Sequence, residues 1–122
     1  MSFLLDKGAL QSVLKAGSGR GVRVAMLDTG VDESHPELSG KIAASYELVR
    51  TESGFACVRE EGTDEIGHGT ACAGIIKRIA PEVELHSVKV IGANARGSSE
   101  GLVHGLEWAL ENKMQVDRKS VV

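Results

Sequence analysis

Short apolar runs alternate with longer segments of helical periodicity along most of this chain. Val22 to Leu27 is a β-branched and apolar run, and Val83 to Ile91 is a second one. Both runs predict buried strands. Small and apolar residues recur at helical spacing from Gly67 to Ile79 and from Ser98 to Lys113. The order strand, helix, strand, helix predicts an α/β fold with right-handed crossovers and a parallel sheet.

The two predicted helices differ in the faces that they offer to the sheet. In the first, the small residues from Ala71 to Gly74 are expected to let the helix lie close to the sheet. In the second, Glu107 and Glu111 are expected to face solvent. Its sheet-facing stripe is expected to consist of apolar residues, namely Leu102, Val103, Leu106, Ala109 and Leu110.

The remaining segments carry weaker patterns. Apolar residues recur at helical spacing from Leu4 to Leu14, and glycines follow between Gly17 and Gly21. Residues 1–20 are therefore predicted to form a leading helix and a loop. Lys41 to Cys57 predicts irregular or edge-strand structure, and Glu60 to Ile66 predicts a solvated acidic loop without a motif.

Composition and charge narrow the classes of partner. The net charge is −3 and no run of Lys or Arg is present, which argues against nucleic acid and against an anionic membrane surface. No segment reaches the roughly 18 apolar residues that span a bilayer, and Met1 to Arg20 lacks the apolar core of a signal peptide, so a cytoplasmic location is expected for the chain as written. Cys57 and Cys72 form neither a disulfide framework nor a zinc motif.

The carboxylate at the end of the first predicted strand is the first candidate for chemistry. In open parallel sheets, ligands gather beyond the carboxyl ends of the strands, where Asp28 is predicted to lie. Taken alone, Asp28-Thr29-Gly30 is consistent with a turn cap, an aspartic peptidase or a phosphoacceptor. The helical segments argue against the nearly all-β aspartic peptidases, and no matching acidic pair or lysine loop supports a phosphoacceptor. The adjacency of Asp32, Glu33 and His35 argues against a shared metal site.

A second motif changes this picture. Leu27-Asp28-Thr29-Gly30-Val31-Asp32 and His35-Pro36-Glu37-Leu38 are followed by Gly67-His68-Gly69-Thr70-Ala71-Cys72-Ala73-Gly74. Together these segments resemble the aspartate and histidine signatures of the subtilisin family, in that family's chain order. The resemblance covers roughly Gly21 to Val116. It implies an α/β fold with a subtilisin-like parallel sheet and helices on both faces, of which this chain holds only the N-terminal part.

The resemblance also implies roles for particular residues. His68 is expected to act as the general base, and buried Asp28 to fix the tautomer of its ring and to stabilise the imidazolium. Gly67 and Gly69 are expected to leave space around that ring. The implied substrate-binding residues follow the second strand and are Ala95, Arg96, Gly97, Ser99 and Leu102. The first three would pair as a strand with the peptide substrate, and the last two would border a pocket upstream of the cleaved bond.

The remaining predictions concern Cys72, metal binding and two other histidines. Some relatives similar to proteinase K carry a cysteine where Cys72 stands, and the resemblance implies that it lies beneath the catalytic histidine. The link between the first helix and Val83 is short, so the calcium loop that some members insert there is expected to be absent, and no metal or cofactor is predicted. His86 is interpreted as a structural residue and His104 as a solvated one.

The resemblance predicts a serine-type endopeptidase that acts on peptide or protein substrates. The family's oxyanion asparagine and its serine in a Gly-Thr-Ser context are expected further along a complete domain, and Ser87, Ser98, Ser99 and Ser120 have different surroundings. This chain is therefore predicted to be inactive by itself. The alternative is a non-catalytic pseudo-peptidase or peptide-binding module, against which the retained Asp28 and His68 argue.

The last residues do not fit the family pattern. Asp117 to Val122 contains four polar residues where the family would enter a buried strand. The same six residues are encoded by the start of a common sequencing adapter. We therefore expect residues 117–122 to be a non-native read-through tail, preceded by a leading segment over 1–20 and a truncated subtilisin-like peptidase domain over 21–116.

Overall fold

A computed structural model describes residues 18–92 and 99–114, together with the backbone of residues 116–119. Its elements in chain order are β1 (Arg23–Asp28), β2 (Ala44–Thr51), β3 (Gly54–Arg59), α1 (His68–Ile79), β4 (Glu84–Lys89), α2 (Ser99–Glu111) and β5 (Val116–Lys119). The helix predicted within residues 1–20 falls outside the described residues. The two strands and two helices predicted downstream of it are present with bounds close to those expected.

The strands form one sheet in the order β3-β2-β4-β1-β5. Strand β1 pairs in parallel with both β4 and β5, and β2 pairs in parallel with β4. Among the described strands, β3 alone is antiparallel, to β2. The prediction of an α/β fold with a parallel sheet is therefore confirmed in class, and β3 adds an antiparallel strand at one edge.

Successive side chains of β1 point to opposite faces of the sheet, and within the described residues each face is covered by one helix. Met26 belongs to the buried cluster that includes Cys72 of α1. Leu27, the next residue, lies against Gly105 of α2, where an added Cβ would be 3.5 Å from its Cδ2 atom. The helices thus cover opposite faces, as the family resemblance implied.

The segment from Lys41 to Cys57, for which irregular or edge-strand structure was expected, contributes to a regular edge hairpin. Its ladder pairs Tyr46 with Arg59 and continues to Thr51 and Gly54. Aromatic contacts join this hairpin to α2, because the Tyr46 and Trp108 rings lie 4.7 Å apart.

His104, which was interpreted as a solvated residue, keeps 37% of its side chain exposed and also contacts the hairpin. Its ring centroid lies 4.7 Å from that of Phe55 in β3. His86, in contrast, is buried in β4 with Nε2 2.7 Å from Glu84 Oε2, which agrees with a structural role.

The predicted sheet-facing stripe of α2 is wrong at two positions. Val103 and Leu110 are 50% and 72% exposed, whereas the buried residues of this helix are Gly101, Gly105 and Ala109. An added Cβ at Gly105 would lie 3.2 Å from a Val90 methyl carbon. The helix approaches the sheet so closely that its smallest residues face it, and an apolar pattern that ignores side-chain size misses this.

Strand β5 lies at the other edge of the sheet and pairs with β1. The backbone of β5 runs parallel to β1, from the Val24–Val116 pair to the Leu27–Lys119 pair. The origin of residues 117–122 as a read-through tail stays a prediction, as do the proposed domain bounds. None of the described helices is long and apolar enough to cross a membrane.

Candidate active site

Asp28 is the last residue of β1 and is fully buried. Its carboxylate Oδ1 accepts a hydrogen bond of 2.7 Å from the Thr29 amide. The chain then turns at Gly30, whose φ of +101° favours glycine, and an added Cβ there would be 2.3 Å from the Thr63 carbonyl oxygen. The turn thus holds the carboxylate at the carboxyl end of the sheet, where ligands gather in folds of this type.

His68 begins helix α1 and faces this carboxylate. Its Nδ1 atom lies 2.6 Å from Asp28 Oδ1, and the histidine side chain is 18% exposed. Because a carboxylate accepts hydrogen bonds, the pairing assigns the proton to Nδ1 and leaves Nε2 as the basic nitrogen. The structure therefore brings together the two residues that the sequence singled out, although they lie 40 positions apart.

The glycines around His68 have a different purpose from the one expected. Gly67 adopts a left-handed conformation with φ +97°, and no atom lies within 4 Å of its Cβ position. At Gly69 an added Cβ would be 1.9 Å from the Gly30 carbonyl oxygen. Gly69 therefore permits contact between two backbone segments, and the expectation that it makes room for the ring is wrong. Gly74 has no atom within 4 Å of its Cβ position, so close packing does not require it.

Cys72 lies one helical turn after His68 and is buried. Its Sγ atom is 4.0 Å from both ring nitrogens of His68, as the family resemblance implied. The thiol is therefore in contact with the ring of His68. One donor atom each from Asp28, His68 and Cys72 lies within 4.8 Å of the others. Since Nδ1 is already engaged by Asp28, this arrangement does not offer a common coordination point and we assign no metal.

Asp64 is the polar residue of the site that the sequence did not reveal. One oxygen, Oδ1, accepts hydrogen bonds from the Thr29 hydroxyl at 2.9 Å and from the Gly67 and Ile66 amides at 2.9 and 3.1 Å. The other, Oδ2, accepts from the Thr70 amide at 2.9 Å and the Thr70 hydroxyl at 2.6 Å.

The pKa of Asp64 reflects these contacts. Burial acts to raise its pKa, but hydrogen bonds from Thr70, Gly67 and Thr29 outweigh burial and hold the pKa below its ordinary value.

The interpretation of Glu60 to Ile66 as a solvated loop is thus wrong at Asp64. Aspartate is a residue that satisfies the free amides of a helix start. Asp64 lies three residues before the helix-capping position Gly67, which itself makes no side-chain cap. The capping aspartate therefore lies three residues before the position at which sequence analysis looks for a helix cap.

Asp32, Glu33 and His35 do not converge on one point. The Asp32 carboxylate accepts from the Ser34 amide and hydroxyl, which lowers its pKa. Glu33 instead accepts the Ser45 hydroxyl at 2.6 Å, on the side of β2. The separation agrees with the argument against a shared metal site.

The predicted substrate-binding residues are only partly described. Ala95, Arg96 and Gly97 lie outside the described residues. Ser99 is exposed and Leu102 half-buried in the first turn of α2. That turn follows β4, whose end is paired with Asp28 in the sheet, so the topology places it at the same edge. The substrate-binding role of all five residues stays a prediction.

A parallel-dominated sheet with a helix on each face, and a buried aspartate that orients a histidine at its carboxyl edge, define an α/β domain with the kind of pair that hydrolases use to activate a nucleophile. Comparison with known proteins identifies the protein family. The chain belongs to the subtilase family, because the model of that family matches residues 19–121.

Individual relatives agree with this assignment. Subtilisin BL of Lederbergia lenta is 37% identical over 113 residues, which cover 85% of this chain and 38% of that protein. The crystal structure of a lanthipeptide protease superposes with a TM-score of 0.65 at 26% identity, covering 85% of this chain and 30% of that one. The crystal structure of a cold adapted subtilisin-like serine proteinase superposes with a TM-score of 0.58 at 27% identity. The match covers 78% of this chain and 34% of that one. The chain thus corresponds to an N-terminal part of the subtilase domain and spans well under half the length of these relatives.

Proposed function

We propose that the complete domain to which this chain belongs is a serine-type endopeptidase, with His68 as its general base and Asp28 as the residue that orients it. The observation that carries the proposal is the 2.6 Å hydrogen bond between His68 Nδ1 and the buried Asp28 carboxylate. A buried carboxylate in this position is suited to stabilise an imidazolium ion.

The chemistry follows from the protonation of the pair. With its proton on Nδ1, His68 can accept the hydroxyl proton of a serine at Nε2 while the serine oxygen attacks a peptide carbonyl. His68 then returns this proton to the leaving amine. The Thr29 amide, which donates to Asp28 Oδ1 at 2.7 Å, helps to fix the orientation of that carboxylate.

Peptide binding is proposed to use the segment before α2. Ala95, Arg96 and Gly97 would pair with the substrate backbone, which explains recognition of peptides or proteins of varied sequence. Ser99 and Leu102 would border the pocket for an upstream side chain. The nucleophile and the oxyanion donor would come from later parts of the domain, so the 122 residues are proposed to be inactive alone.

The test begins with genomic DNA read past the codon for Val116, followed by expression of the complete domain and of the present chain. Hydrolysis of casein and of a chromogenic peptide amide is measured for both. The proposal predicts hydrolysis by the complete domain, inhibition by a serine-directed fluorophosphonate, and no hydrolysis by the chain alone. A complete domain that binds peptides without cleaving them would instead support a peptide-binding module.

A further inference from the structure

We propose that Thr29 and Asp64 are positioning residues that hold the Asp28–His68 pair at its working distance. This inference rests on the proposed function, since it assigns a purpose to contacts around that pair. Neither residue touches the ring of His68 in the contacts described above, so both would act through the backbone.

The Thr29 hydroxyl joins the two chain segments that carry the pair. Its oxygen accepts a hydrogen bond of 2.9 Å from the Gly69 amide and its proton is donated to Asp64 at 2.9 Å. Thr29 directly follows Asp28, and Gly69 directly follows His68. One hydroxyl, on a residue that is 5% exposed, therefore links the residues next in sequence to both members of the pair.

The Asp64 carboxylate holds the start of α1 from the other side. It accepts the Gly67 amide just before His68 and the Thr70 amide just after the helix has begun. Amides in the first turn of a helix have no partner within the helix. Since Gly67 makes no side-chain cap, Asp64 and Thr29 supply acceptors that would otherwise be missing on both sides of His68.

A third contact closes this network. The Thr70 hydroxyl donates to Asp64 and accepts from the Asp32 amide at 2.9 Å, in the segment that follows β1. The end of β1 and the start of α1 are thus connected through two hydroxyls and one carboxylate. Hydrogen bonds weaken steeply with misalignment, so a small shift between these elements would separate His68 from Asp28.

The experiment uses the 122-residue chain and does not require catalysis. In a ¹⁵N-labelled sample, NMR detects the His68 Nδ1 proton that is donated to Asp28 and measures its exchange with solvent. Thr29→Val keeps the size of the side chain and removes the hydroxyl, Thr29→Ser restores a hydroxyl, and Asp64→Asn replaces one of the two carboxylate oxygens by an amide group. Ile42→Val is the control, because it weakens the core away from the network.

The proposal predicts that this proton exchanges roughly tenfold faster in Thr29→Val and Asp64→Asn, the scale expected for one lost hydrogen bond. In Thr29→Ser the His68 Nδ1 proton should exchange at the wild-type rate. In Ile42→Val the exchange of this proton should increase no more than the exchange of the backbone amides in the core. Equal exchange in wild type and Thr29→Val, or equal acceleration in Ile42→Val, would overturn the proposal. So would a wild-type chain without a hydrogen-bonded Nδ1 proton. A complete domain that fails to hydrolyse peptides would count against the proposed function alone.

Discussion

At the scale of single residues, the position of Cys72 predicts that mercurials inhibit the complete domain. Its sulfur lies 4.0 Å from both nitrogens of the His68 ring, and thiols are soft ligands that bind mercury tightly. A mercury ion bound to Cys72 would push the His68 ring out of position or bind one of its nitrogens. We therefore expect a complete domain with peptidase activity to be inhibited by a mercurial, as measured by peptide hydrolysis.

The two cysteines provide matched variants for this prediction. Cys72→Ala should retain activity in the presence of the mercurial. Cys57→Ala should remain sensitive, because Cys57 lies in β3 and burial raises the pKa of its thiol to about 11. Full activity of the unmodified domain after its thiols are blocked would contradict the expectation.

Asp64 predicts a pH dependence of stability. Its pKa is lower in the folded chain than the ordinary value of about 3.9. Its carboxylate therefore contributes stability that is complete above the unfolded-state pKa and is lost as the pH falls through the lower folded-state pKa. We expect Asp64→Asn to reduce the free energy of unfolding by about 1–3 kcal/mol at pH 7, because donors lose a charged acceptor.

Denaturant unfolding at pH 7 and at successively lower pH values checks this expectation. The difference between the wild type and Asp64→Asn should shrink on acidification below about pH 4. Glu61→Gln, at an exposed position of the same loop, is the control and should change little. A difference that stays constant with pH would show that the charge of Asp64 does not stabilise the fold.

At the scale of elements, the packing of α1 depends on one of its glycines and not on another. Gly69→Ala would place a methyl group 1.9 Å from the Gly30 carbonyl oxygen, and we expect a loss of about 1–3 kcal/mol in the free energy of unfolding. Gly74→Ala meets no atom within 4 Å and should stabilise the helix by roughly 0.5–1 kcal/mol. Thermal or denaturant unfolding of both variants measures the contrast, and equal effects would contradict this account of the packing.

Elements whose patterns are local were predictable from the sequence. The β-branched run before Asp28 and the helical spacing after His68 both specify their elements without reference to the rest of the chain. The stripe of α2 was not predictable, because the side of the helix that approaches Val90 most closely is fixed by the size of Gly105 and not by hydrophobicity. The hairpin of β2 and β3 likewise depends on ring contacts with α2.

The candidate site was predictable to a similar degree. The paired motifs identified Asp28 and His68 before their contact could be known. Asp64 was missed because its partners, Thr29 and Thr70, come from two segments that meet only in the folded chain. Residues that act through tertiary hydrogen bonds leave a weaker pattern than residues that lie within a motif.

At the scale of the whole molecule, the chain forms one sheet with a helix on each face and matches an N-terminal part of the subtilase domain. Strand β1, which lies between β4 and β5, presents Asp28 at the carboxyl end of the sheet, and α1 presents His68 to it. The proposed function requires a serine from a later part of the domain to meet Nε2 of His68. Residues 117–122 remain predicted to be foreign to the protein, and independent amplification of genomic DNA that returned the same six codons would refute that prediction.

In the proposed function, Asp28 and His68 activate a serine of the complete domain. The most direct measurement is the rate at which a fluorophosphonate probe modifies that serine, followed by mass spectrometry. We predict that Asp28→Asn and His68→Ala slow the modification by on the order of 10³–10⁴-fold. Glu37→Gln, a surface carboxylate paired with Arg78, should have no effect. Modification of Asp28→Asn and His68→Ala at the wild-type rate would contradict the claim.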